Sequence, residues 1–72
     1  MNIKINTVGL ILSGEESGNY VKIIEDFDNT SGFLILTSKY ENMSDGYDNW
    51  VENIDRVRDY VKESGWEIRW IE

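Results

Sequence analysis

The chain contains no cysteine, no histidine and no proline among its 72 residues. Without cysteine there is no disulfide staple, and without either cysteine or histidine there is no cluster of the kind that holds a structural metal. The same absences remove the commonest general base and the commonest activated nucleophiles. Acid–base chemistry would then fall to paired carboxylates in a concave pocket, and so small a domain has little depth for one. No enzyme activity is expected. Basic residues are scarce too: seven Lys and Arg stand against fourteen Asp and Glu, a formal charge of −7. That balance argues against direct binding to DNA or RNA, which rests on clustered Lys and Arg, and against an anionic membrane surface. A basic protein partner is allowed, and its association would be steered by charge and sensitive to salt. No stretch approaches the ~18 apolar residues of a membrane span. The segment "MNIKINTVGLIL" carries one Lys and a polar break at Asn6-Thr7, the pattern of a strand rather than a signal peptide, so a cytoplasmic protein is expected.

Two further motifs fail on inspection. No Gly-rich phosphate loop stands between a strand and a helix. "EDFDNTSG" sets Asp26 and Asp28 at the first and third places of a calcium loop, but Ser31 and Thr37 occupy the places that need Gly and Glu. Neither metal nor cofactor is expected.

What is present is a single domain, residues 1–72, whose stability rests on Ile, Leu, Val, Tyr, Phe and three Trp. Ile3 to Ser13 alternates with a slip in phase, which Gly9 would accommodate as a bulge or bend. "SGEESGN" is a turn cluster, an exposed hairpin tip bearing Glu15 and Glu16, and "YVKIIEDF" is the second strand. After "DNTSG", the unbroken apolar run Phe33 to Leu36 marks an interior strand, covered on both faces or packed under a helix.

"DNWVENIDRVRDYVKESG" carries acids at Asp48, Glu52, Asp55, Asp59 and Glu63, at helical spacing. Asp48 or Asn49 is the expected cap, Asn49 with Glu52 has capping-box spacing, and Gly65 suits the C-terminal stop. On a helix, Trp50, Ile54, Val57 and Val61 fall within roughly 60° of arc, the buried stripe, and the five acids form a ridge almost opposite. Pairs such as Glu52–Arg56, Asp55–Arg58 and Asp59–Lys62 are offset by like-charge neighbours, so helix stability alone does not account for the ridge. Tyr47 is either a hydrophobic staple at the start of this helix or, with Met43 and Tyr40, part of an interface loop. "WEIRWIE" has period two and is the last strand, expected to run parallel to the third after a right-handed crossover. The expected fold is α+β, β-β-β-α-β, a single four-stranded sheet with one helix on one face, its strand order open.

"SGFLILTS" and "GYDNWVENIDRVRDYVKESGWEIRW" resemble small bacterial immunity proteins, in which an apolar strand, an acidic loop, a Trp-containing amphipathic helix and a Gly-Trp turn into a final strand follow one another. The resemblance spans roughly residues 31–70. It implies a protein that binds and neutralises a basic toxin; phage inhibitors of restriction or CRISPR nucleases share the same features. Charge geometry nominates Asp45, Tyr47, Asp48, Glu52, Asp55, Asp59 and Glu63 as the surface that meets a basic partner, a toxin or nuclease. The competing readings are a ridge that is only solvated and an accessory homodimer formed through an open sheet edge or an exposed aromatic face.

Overall fold

A computed structural model describes residues 3–71. It is α+β, with strands β1 (Val8–Ile11), β2 (Tyr20–Asp26), β3 (Gly32–Ser38), β4 (Tyr47–Val51) and β5 (Ile68–Trp70) and one helix, α1 (Ile54–Glu63). The strands form a single sheet in the order β4-β3-β2-β1-β5, and every neighbour pair is antiparallel. The sheet therefore has five strands rather than four. β5 lies beside β1, with Gly9 opposite Trp70, and not parallel to β3 where a crossover would have placed it. β3 is interior, as its apolar run requires.

The additional strand comes from the segment expected to begin the helix. Tyr47, Trp50 and Val51 favour a pleated strand, whereas Asp, Asn, Trp and Val are all weak helix formers. Pairing with β3 from Phe33↔Val51 to Thr37↔Tyr47 satisfies the backbone of the segment, and tertiary pairing wins over the helical spacing of its acids. The helix starts instead at Asn53, whose extended backbone and side-chain oxygen cap the Arg56 amide at 3.0 Å. Its far end follows the sequence. Gly65, at φ 72°, donates to the Lys62 carbonyl, and Trp66 donates to that of Val61, the paired bonds of a left-handed helix stop.

The core lies between the helix and one face of the sheet. Ile11, Val21, Ile23, Phe33, Ile35, Val57, Val61 and Trp66 are buried there, and Ile3, Ile5, Ile54 and Tyr60 pack against them. Trp50 is not among them; it lies half exposed on β4, on the side away from the helix. The slip in the first strand falls at Asn6, at φ 59°, where the chain turns from a parallel bridge between Ile5 and Ile23 into antiparallel pairing along β1. Gly9 serves another contact. A Cβ there would come within 2.4 Å of Ile68 and 2.9 Å of Trp70, so the bare glycine lets β5 close over β1.

Strand alternation fixes the opposite face. The rows Trp50–Leu34–Ile24 and Asp48–Leu36–Lys22–Val8 cross it, followed by a row in which Tyr20 and Leu10 adjoin Arg69. No helix or strand among the described residues crosses this face. No helix of the described residues is long and apolar enough to cross a membrane.

Candidate functional site

The β1–β2 turn is held against the end of the helix. Gly14, at φ 83°, sits so close that a Cβ would lie 2.4 Å from the Ser64 carbonyl oxygen. The Glu15 amide donates to that carbonyl at 3.3 Å, and the Trp66 indole donates to the Glu15 carbonyl at 2.5 Å. Ser13 Oγ donates to the Gly65 carbonyl at 3.1 Å and accepts from the Glu67 amide at 3.2 Å. The turn is thus a structural contact rather than the free hairpin tip its composition suggests, and it delivers Glu16 to the helix side of β4.

There the Tyr47 hydroxyl donates to the Glu16 carboxylate. That bond stabilises the protonated phenol and holds the Tyr47 pKa above its ordinary value, with the negative charge of Glu16 acting in the same direction. Across the strand pair from Tyr47, the Thr37 hydroxyl is buried without a hydrogen-bond partner at normal distance among the described residues. Tyr60 packs edge-on against Trp66, with ring centroids 5.5 Å apart, and its hydroxyl accepts from Asn49 Nδ2 at 2.9 Å. Burial, then the charges of Glu16 and Glu15, raise the Tyr60 pKa. Tyr47 is 59% exposed and does not staple the helix.

The nominated residues divide between sides. Glu52, Asp59 and Glu63 line one shallow groove with Trp50, Val51 and Tyr60, along the edge where β4 meets the helix. Arg56 stands among them, 3.9 Å from Glu52 and 3.4 Å from Asp59, so Asp59 pairs with Arg56 rather than with Lys62. Asp45 lies at the start of β4, with its carboxylate accepting from the Gly46 amide at 2.8 Å, and shares a second hollow with Tyr47 and Glu16. Asp55 projects about 80° further round the helix from Glu63 and pairs with Arg58 at 3.3 Å. Asp48 alternates onto the face away from the helix. These ion pairs are exposed and contribute only about 0.2–0.5 kcal/mol each.

Glu16, Asn49 and Tyr60 belong to this edge and escape a reading of the sequence. Tyr60 was within reach, since it borders the apolar stripe of the helix. Glu16 was not, because its position depends on a contact between residues about fifty apart in the chain. Among the described residues no three Asp or Glu side chains converge as a metal site.

The arrangement offers charge and a strand edge. β4 terminates the sheet, so its outer backbone groups face no further strand among the described residues. Beside that edge stand the carboxylates of Glu16, Asp45, Glu52, Asp59 and Glu63 and the exposed ring of Tyr47. No protein-family model, no curated protein and no solved structure matches the chain.

Proposed function

We propose that this protein is a non-catalytic binding module that occludes a basic protein, with the β4 edge and the adjoining helix flank as the contact surface. The observation that supports it is the placement of Glu52, Asp59 and Glu63 on the flank that also carries the unpaired edge strand and Tyr47. A partner segment rich in Lys or Arg can lie along β4, using backbone hydrogen bonds for register and the carboxylates for charge. Tyr47 supplies the large amphipathic ring that interface cores favour. The resemblance to immunity proteins points to a toxin with nuclease activity as the partner, and a phage-type inhibitor of a restriction or CRISPR nuclease would use the same surface. Asp55 and Asp48, nominated by spacing, lie off this flank and contribute through the overall field.

The test is capture from the native cell lysate with two baits, the natural chain and a Glu52→Lys/Asp59→Lys/Glu63→Lys variant whose fold is checked by circular dichroism. The proposal expects a basic nuclease or toxin on the first bait at low salt, released as salt rises, and its loss from the second. Identical capture by both baits, or none, overturns it.

A further inference from the structure

We propose that the open sheet face is the interface of a homodimer, in which a second copy of the chain stacks on it about a two-fold axis running along β3. The two sides of β3 on this face are complementary to each other. In one row Asp48 of β4 and Lys22 of β2 flank Leu36; in the next, Trp50 of β4 and Ile24 of β2 flank Leu34. Rotation about β3 exchanges the positions of β2 and β4. Lys22 of each copy then lies over Asp48 of the other, Ile24 lies over Trp50, and Leu34 and Leu36 each meet their own counterpart.

Other axes fail on charge. An axis along β2 sets Lys22 against Lys22, a like-charge contact at the centre of the interface. An axis midway between β2 and β3 sets Lys22 over Leu36 and Asp48 over Val8, which desolvates both charges without a partner. Of these three axes only that along β3 sets Lys22 against an opposite charge, with Leu34, Leu36, Ile24 and Trp50 meeting apolar groups and Val8 lying beyond the overlap. The separation also suits it, since stacked sheets lie about 10 Å apart with strands about 30° from aligned. Lysine can span that gap from its own side, while the Trp50 indole lies over Gly32, donating to Thr30 Oγ1 at 2.7 Å, and presents its outer face to the other copy.

Area decides the strength. About this axis only β4, β3 and β2 overlap, so strands about 4.8 Å apart and rows about 7 Å apart give a stacked patch of roughly 14 Å by 20 Å, or about 300 Å² per copy before side-chain relief. That is below the size of a stable specific interface, so the dimer is expected to be weak and transient, populated toward the upper end of the concentration range tested. Trp50, half exposed in the single chain, is the largest apolar group it covers. The helix and its carboxylates lie on the other side of the sheet, but β4 and Trp50 belong to both surfaces, so a bound partner and a second copy are expected to influence each other, and dimerisation is measured with the partner absent.

Sedimentation equilibrium of the purified full chain, from about 1 to about 500 µM, tests it with no partner present. Lys22→Asp places acid against acid twice, and Asp48→Lys places base against base twice. Each single variant is expected to weaken dimerisation about tenfold or more, and the double variant to return to within about threefold of the natural chain. Circular dichroism establishes that each variant is folded, and either single variant suffices with the double. A natural chain that stays monomeric throughout, single variants that dimerise as well as it does, or a folded double variant that fails to recover would each overturn the proposal.

Discussion

At Gly14 and Gly18 two residues with nearly the same backbone angle sit in different surroundings. Both have left-handed φ, 83° and 92°, but only Gly14 has backbone oxygens within 2.5 Å of where a Cβ would be; around Gly18 there is open space. Gly18→Ala should cost about 1–2 kcal/mol for its conformation alone, and Gly14→Ala more, because the turn must also leave the helix end. Urea unfolding of the pair checks the order, and equal losses would show that Gly14 is not a contact. The tyrosines offer a second residue-scale test. Tyr47 and Tyr60 both have pKa values raised in the fold, with Glu16 contributing to each. A raised folded pKa favours the protonated phenol, so this contribution to stability is complete below about pH 10 and is lost as pH rises through the raised values. In a spectrophotometric titration, Glu16→Gln should move the most alkaline part of the tyrosinate curve to lower pH. An unchanged curve would separate Glu16 from both rings.

Between Asp48 and Asn53 the chain makes its choice of element. Carboxylates at helical spacing favour a helix from Asp48, but spacing on a polar face carries little energy, whereas five residues paired to β3 satisfy backbone groups along their length. The cap moves accordingly. Asn53→Ala should cost about 1 kcal/mol by removing the side-chain acceptor of the Arg56 amide, which keeps only the Asn53 carbonyl at 3.1 Å. Asn49→Ala should leave helix content intact and remove instead the hydrogen bond to the Tyr60 hydroxyl. Circular dichroism with thermal unfolding distinguishes the two, and helix loss in the Asn49 variant would move the helix start back to that residue. The C-terminal stop was legible because Gly65 and Trp66 act locally, through bonds to Lys62 and Val61.

For the molecule as a whole, a core with eight buried hydrophobic residues among those described holds a chain of this length close to its stability limit. Ile35 is fully buried on the interior strand β3 beneath the helix. Ile35→Ala should cost about 2–5 kcal/mol and leave a substantial part of the chain unfolded at 25 °C, measurable by urea denaturation. If the open face pairs with a second copy, the thermal midpoint of the natural chain rises with protein concentration, and that of Lys22→Asp does so only weakly. The charge of −7 is not evenly spread: Glu16, Asp45, Glu52, Asp59 and Glu63 gather at the β4 edge.

The sequence by itself determined the α+β class, the interior character of Phe33 to Leu36, the buried stripe of Val57 and Val61, the helix stop at Gly65 and the excess of acid. Each depends on periodicity, on a residue's own backbone freedom, or on a count, and none needs to know what lies across the fold. Tertiary structure alone decided that Tyr47 to Val51 pairs with β3, that β5 closes beside β1 over Gly9, and that Asp48 faces away from Glu52. It also decided that Glu16 meets Tyr47 across 31 residues of chain, and that Trp50 lies outside the core. The physical reason is common to all five. Strand pairing and turn docking draw their free energy from partners distant in sequence, and a shift of one residue in register reverses which face a side chain occupies.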